Sequence, residues 1–282
     1  MLRIITDTSC DLSLETAKKL NVEIMPLTVR FGEDSYRTLY DLTNEEFHKK
    51  LQSSKELPKT AQINPFEFEE KYKEISEAGD EAVVILISSE LSGTCQSGKI
   101  ALSNVDTDKI DVVDSLTAAG GTGILVVEAA RMRDQGKSRK EIVERLNYLV
   151  PRTRLYVLLD TLEYLKKGGR ISPTVAFVGE AIKLRPIITT KEGKVVIEDK
   201  AKGDKAGNRR LREKLTQYPI MEGSPIMVGH ADAADRAEAL KSDVEAMGYE
   251  VMDCEWMGAV VGTYTGPNAV GLYYFSEDPI EP

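Results

Sequence analysis

The chain has 282 residues, enough for two domains of ordinary size, and its 41% hydrophobic and 29% charged residues are the balance of a globular protein able to fill a core. With 37 Lys and Arg against 46 Asp and Glu the net charge is −9, and no basic block interleaved with aromatics occurs, so a nucleic-acid partner is not expected. No apolar run approaches the ~20 residues that span a bilayer, so stable membrane insertion is not expected either.

The start, MLRIITDTSCDL, runs into a short apolar strand and meets Asp7, unlike the charged-then-apolar layout of a signal peptide; a cytoplasmic location is expected. RIIT, LETAKKL, VEIMPLTVRF, two helical stretches, AVVILIS, a helix, IDVVDS and another helix then follow in order. Such alternation predicts a parallel sheet with helices on both faces. Thr43 with Glu46 fits a capping box, and Asn64, Pro65 and Glu67 place a cap, a first-turn proline and an N3 acid. That spacing leaves Lys59 to Ile63 as a loop leading into a helix.

After about residue 155 the pattern changes. PIITTKEGKVVIEDK predicts a hairpin turning at Glu192 and Gly193; further strands are expected at PIMVGH, EVMDCEW and VGLYYF, with helices near 208–218 and 232–247. The expected organisation is a Rossmann-like α/β domain over 1–155 and an α+β domain with an antiparallel or mixed sheet over 156–282, closely packed with a cleft between them.

Several segments carry candidate chemistry. SSELSGTCQSG, residues 88–98, follows the strand AVVILI and precedes a helix, so free backbone N–H groups and the helix dipole there favour an anion, with Gly93 allowing close backbone approach. Ser and Thr cap helices routinely, and that plainer reading stays open. A nucleophilic Ser92 would need glycine where Glu90 stands, and only His48 and His230 could serve as its base. SLTAAGGTG, 115–123, lacks the third glycine of a dinucleotide loop because Val126 occupies its place; close packing of helix on sheet explains it better, and there is no P-loop. TLEYLKKGGRIS predicts a short helix whose paired glycines suit a left-handed C-cap, with Arg170 either a surface cation or a charge facing an anion at the domain junction. VVGTYTGPNAVG reads as a Gly/Pro loop between strands. Cys10, Cys95 and Cys254 are odd in number and far apart, which suggests buried thiols and neither a disulfide framework nor a metal site.

In this order and spacing, ITDTSCDL, KTAQINPFEF, ISSELSGTCQSG, DSLTAAGGTG, TLEYLKKGGRIS, RPIITTKEGKV and GTYTGPNAVGLYYF resemble the DegV family along nearly the whole chain. The resemblance implies a two-domain α/β fold with ligand between the domains, and the role of a bacterial fatty-acid-binding protein. Such a protein is a carrier without catalytic residues or a cofactor: it holds one long-chain fatty acid and presents its carboxyl group to a separate fatty acid kinase catalytic protein. The product, an acyl phosphate, feeds phospholipid synthesis. Thr60 and Ser92 match the family's carboxylate-binding hydroxyls, with Ala61 and Gly93 beside them in the carboxylate-binding set, and Arg170 and Tyr264 fall at the phosphoryl-transfer, kinase-facing end. Two departures stand out: the family's T-S-Q is Thr60-Ala61-Gln62 here, and its G-T-H-x-G-P-G has Tyr264 for histidine and Asn268 for the last glycine. The alternatives are a carrier or sensor of another amphiphilic lipid without kinase coupling, and a Ser92-dependent hydrolase.

Overall fold

The computed structural model describes residues 1–105, 107–172 and 184–281. The chain opens with β1 (Leu2–Asp7), α1 (Leu14–Lys19) and β2 (Val22–Met25), a parallel pair joined across a helix. Pro26 has no N–H to add to the ladder, and the chain leaves this sheet there. The run 22–31, expected as one strand, is therefore two strands in different sheets. β3 (Thr28–Phe31) pairs with β4 (Asp34–Arg37) on one side and with β5 (Lys59–Ala61) on the other. Residues 59–61, expected as loop, are thus a short strand, because the edge of β3 offers partners that three residues of local sequence cannot announce.

Between them lies α2 (Asn44–Ser53), and α3 (Pro65–Glu77) follows β5; both begin with the capping boxes that Thr43/Glu46 and Asn64/Glu67 predict. Then come β6 (Glu81–Leu86), α4 (Thr94–Asn104), β7 (Ile110–Asp114), α5 (Gly120–Asp134) and α6 (Arg139–Leu149). The first sheet is parallel, in the order β2-β1-β6-β7. Ile4, Val83 and Ile85 pack with apolar residues of α5 and α6, whereas Ile5, Val84 and Leu86 pack with those of α3 and α4. Alternate side chains therefore bury opposite faces of one sheet, as the near-continuous apolar strands predict.

The second sheet takes β8 (Thr153–Leu158), β9 (Leu184–Lys191), β10 (Lys194–Lys202), β11 (Met227–Ala231), β12 (Glu255–Trp256) and β13 (Ala269–Phe275) in the order β10-β9-β8-β13-β11-β12. All its pairings are antiparallel except β11 with β12, so the sheet is mixed. The β9–β10 hairpin turns at Glu192 and Gly193, both with positive φ (47° and 79°), the backbone that a two-residue hairpin of this twist requires. Only Glu255 and Trp256 of the expected strand EVMDCEW pair in the sheet. Helices α7 (Glu163–Lys167), α8 (Asp204–Gln217), α9 (Ala234–Glu245) and α10 (Ala259–Thr265) complete the α-helices of the described residues. The segment AVVGTYT, expected within a loop, is α10 instead: its β-branched and glycine residues are poor helix formers, and burial of most of them against α2 and α7 decides the conformation.

Helix α5 touches both large sheets. A Cβ on Gly120 would lie 2.4 Å from the ring of Tyr273 in β13, and one on Gly123 2.6 Å from the Cys10 carbonyl oxygen. These glycines serve close packing, as their failure to match a nucleotide loop implies. One apolar cluster consequently runs from Ile4 and Val83 through α5 to Leu155, Val157 and Phe275.

Candidate functional site

A cavity of about 150 Å³ opens between β5, the β6–α4 turn, the end of α7, and α10. Its apolar lining includes Leu27, Leu155, Val157, Ile188 and Val260, drawn from both halves of the chain. Thr60, Gln62, Ser92, Gly93, Arg170 and Tyr264 supply polar surface. Five of the six residues singled out from sequence are thereby brought together. Ala61 is the exception. Its neighbour Thr60 is half-buried and faces the cavity, and strand alternation turns Ala61 outward, where it is exposed and does not line this cavity.

The polar side chains are linked. Thr60 Oγ1 and the Tyr264 hydroxyl are 2.6 Å apart, and the Arg170 guanidinium lies 4.7 Å from the centre of the Tyr264 ring, a cation–π arrangement. Arg170 Nη1 donates to the Gly168 carbonyl at 2.6 Å and Nε to that of Leu91 at 3.4 Å. Within the β6–α4 turn the Ser92 and Thr94 hydroxyls are 3.0 Å apart, and the Thr94 N–H donates to Ser92 Oγ. Gly93 occupies the N-cap of α4 without a side-chain cap. A Cβ there would come 2.0 Å from Gln62 Oε1, so the glycine admits the amide of Gln62, which in turn donates from Nε2 to Ser97 Oγ at 2.9 Å. Gln62 lies within the KTAQI segment, but the contact that gives it a role is 31 positions along the chain, and no local pattern announces it.

Not every hydroxyl in the turn faces the cavity. Ser88 is buried, its Oγ donating to the Gly193 carbonyl at 2.8 Å, and it anchors the turn to the β9–β10 hairpin. The buried carboxylate of Asp7 accepts from the N–H groups of Ser9 and Ile87, tying the end of β1 to the strand leading into the same turn, although burial raises its pKa. Asp11 Oδ1 accepts from the Gly258 N–H at 2.9 Å, joining the start of α10 to the first half of the chain; burial raises its pKa also.

The two histidines available to a nucleophilic Ser92 stand elsewhere. His48 Nε2 lies 3.0 Å from the Met257 carbonyl oxygen, His230 Nδ1 accepts from the Ala233 N–H, and both rings pack against Trp256. Neither lines the cavity. Cys10 and Cys95 are buried and Cys254 half-buried; desolvation pushes the Cys95 thiol up to about 11 and that of Cys254 to about 12, which disfavours thiolates. Among the described residues no group of His, Cys, Asp and Glu is placed to hold a metal ion, and no helix is long and apolar enough to cross a membrane.

A parallel sheet and a mixed sheet sharing one buried helix, a small third sheet of β3, β4 and β5, and an apolar cavity bounded at its polar side by hydroxyls and a guanidinium define an α/β protein built to hold an amphiphile. The family model described as "Uncharacterised protein, DegV family" matches residues 1–277, and the chain belongs to the DegV family. A DegV domain-containing protein of Caldanaerobacter subterraneus subsp. tengcongensis is 33% identical over 279 residues, covering 97% of this chain and 98% of the relative. Among solved structures, a DegV family protein from Thermus thermophilus described for its fatty acid binding superposes with a TM-score of 0.89 at 30% identity, over 98% of this chain and 99% of that one. A stearic acid-binding protein from Eubacterium ventriosum gives a TM-score of 0.85 at 25% identity, over 98% and 99%.

Proposed function

We propose that this chain binds one long-chain fatty acid in the cavity, with the tail among the apolar residues and the carboxylate at Thr60, Ser92 and Gly93. The observation that carries this reading is the hydroxyl–hydroxyl–guanidinium cluster of Thr60, Tyr264 and Arg170 at the polar side of an apolar cavity. The fatty-acid binding described for the Thermus and Eubacterium relatives supports it.

The two parts of the ligand do different work. Each methylene that the tail buries contributes about 0.8 kcal/mol before the costs of association and chain ordering are subtracted. The carboxylate must exchange its water for donors or bind protonated, because a bare buried charge is far more costly than the tail can offset. Hydroxyl and backbone N–H donors of the β5 and β6–α4 segments meet that need, so the tail sets affinity and the head group sets orientation.

The same reading makes the protein a cytoplasmic carrier for a separate fatty acid kinase, with the acyl phosphate feeding phospholipid synthesis. A carboxylate oxygen attacks the terminal phosphorus of a nucleotide held by the kinase, the phosphoanhydride bond breaks, and the nucleoside diphosphate leaves. Arg170, exposed and beside Tyr264, is a cation suited to the charge that develops there. Mass spectrometry of organic extracts from the purified protein tests the binding step: a stoichiometric fatty acid is expected, and a different lipid class would replace the reading with that of another amphiphile carrier. Acyl phosphate formation with an added fatty acid kinase tests the second step, and none forming from loaded protein would remove it.

A further inference from the structure

Two adjacent glycines close α7, and they serve different ends. Gly169 has φ +70°, the left-handed region that completes the C-terminal cap, with the Arg170 N–H donating to the Leu165 carbonyl. Gly168 has φ −79° and ψ −9°, an ordinary right-handed conformation open to any residue, so backbone freedom does not explain it. Space does. A Cβ on Gly168 would lie 2.4 Å from Cδ1 and 2.5 Å from Cε1 of Tyr264, about 1 Å inside the ~3.5 Å carbon–carbon optimum. The contact falls on the body of the ring, which cannot swing aside without carrying its hydroxyl away from Thr60. A reciprocal contact sits nearby: a Cβ on Gly266, at the end of α10, would lie 2.3 Å from Cδ2 of Tyr164 in α7. The two short helices interlock, each tyrosine lying over the other helix's terminal glycine.

We infer that Gly168 is a positioning residue of the head-group site, acting through Tyr264, with Arg170 held against the same ring; the inference rests on the reading of the cavity as a fatty-acid site. Its missing side chain is the place where the Tyr264 ring lies, and its carbonyl oxygen holds Arg170 Nη1. One residue without a side chain therefore sets both partners of the cation–π pair and, through the ring, the hydroxyl that meets Thr60. Alanine at this position suits the helical backbone better than glycine does, and the clash falls on the Tyr264 ring at the cavity wall, so the expected defect is chiefly in ligand recognition, with a smaller loss of stability from the displaced ring.

The test is a thermodynamic cycle on Gly168→Ala and Tyr264→Ser, measuring affinity for a long-chain fatty acid and for its methyl ester, which keeps the tail and lacks the carboxylate. Gly168→Ala is expected to weaken the acid about tenfold while leaving the ester within about twofold, the pattern of lost head-group donors. In the Tyr264→Ser background, adding Gly168→Ala should change acid affinity by less than about twofold, because the ring it displaces is gone. Equal losses for acid and ester, equal losses in both backgrounds, or unchanged acid binding in Gly168→Ala would each overturn the inference. If Gly168→Ala alone does not fold, the double variant against Tyr264→Ser still decides: equal affinity and melting temperature support the assignment, and a drop in either refutes it. A wild-type protein that bound neither compound would remove the fatty-acid reading itself, whereas binding without coupling would remove only the role of Gly168.

Discussion

The hydroxyl oxygens of Thr60 and Tyr264 lie 2.6 Å apart although the residues are 204 positions apart in the chain. Thr60 stands on β5 of the small sheet, and Tyr264 on α10, which also packs against α2 and α7. In a pair of hydroxyls one must accept, so only one proton is spent within the pair and the second remains available. A carboxylate, which only accepts, can take both protons if it replaces the contact. The bond is therefore a ready-made pair of donors whose mutual contact a fatty-acid head group would exchange for two contacts of its own.

From this follows the expectation that Thr60→Val and Ser92→Ala each weaken fatty-acid binding and leave the fold intact. Valine keeps the branched shape of threonine, and Ser92 is half-buried with its hydroxyl hydrogen-bonded to Thr94 within its own turn. Loss of a hydrogen bond to a charged group costs about 1.5–3 kcal/mol, roughly one to two decades in affinity. Isothermal titration with a saturated and an unsaturated long-chain acid measures it; affinities equal to wild type in both variants would place the carboxylate elsewhere.

Arg170→Ala is expected to retain bound fatty acid and to lose acyl phosphate formation. The guanidinium is exposed and rests on carbonyl oxygens and a ring face, and among the described residues it makes no ion pair whose removal would disturb the core. A fixed cation beside the reacting end acts chiefly on charge that appears during transfer, so the effect belongs to turnover more than to ligand occupancy. Quantifying co-purified lipid and acyl phosphate in the same preparations separates the two, and loss of the lipid itself would make Arg170 a head-group contact.

Local chemistry made part of this fold legible. The capping boxes at Thr43 and Asn64 and the Glu192-Gly193 hairpin depend on residues within four positions of one another, and the sequence carries them in full. Helix α10 and strand β5 were not legible, since each owes its conformation to partners far along the chain: α10 to α2 and α7, β5 to the free edge of β3. The site divides in the same way. Thr60, Ser92, Gly93, Arg170 and Tyr264 were reachable as members of motifs, and the cavity gathers them. Gln62 over Gly93 and Tyr264 over Gly168 are pairings of a side chain with an absence of one, which no pattern along the chain displays.

Acidification is expected to destabilise the packing around Trp256. Burial lowers the pKa of His48, against the hydrogen bond to the Met257 carbonyl and a weaker pull from Asp232; burial also lowers that of His230, helped by charge on His48 and opposed by Asp232 and Glu238. A folded-state pKa below the unfolded value of ~6.5 means that the unfolded chain takes up protons first. This contribution to stability is accordingly full above ~6.5 and is lost as pH falls from there through the lowered folded values. The buried carboxyls of Asp7, Asp11 and Glu255, whose pKa values burial raises, work in the opposite direction, so the histidine effect must be read as a difference. The fall in melting temperature between about pH 7.5 and about pH 5.5 should be smaller in His48→Gln and in His230→Gln than in wild type. Identical falls in all three proteins would show that neither ring titrates differently on folding.

Tyr264 stands where the family motif G-T-H-x-G-P-G, as the sequence resemblance has it, places histidine, and the geometry around it sharpens what that exchange should do. A phenol offers one hydroxyl and no charge, whereas an imidazole can carry a positive charge near neutral pH and donate from a second position to a phosphoryl oxygen. With tyrosine present, Arg170 is the cation beside the ring, and it sits over the ring face where an electron-rich phenol is favourable. Tyr264→His is therefore expected to raise the rate of acyl phosphate formation with a family kinase at matched ligand occupancy, without tightening fatty-acid binding. The guanidinium disfavours a second positive charge at that distance, so the imidazole should be charged only on the acid side of its usual range. The gain should accordingly grow as pH falls from about 8 to about 6, while the wild-type rate, lacking that imidazole, shows no matching rise. Rates that are equal at every pH would mean that Tyr264 serves only as the ring packed between Gly168 and Arg170, and that the kinase supplies the remaining charge.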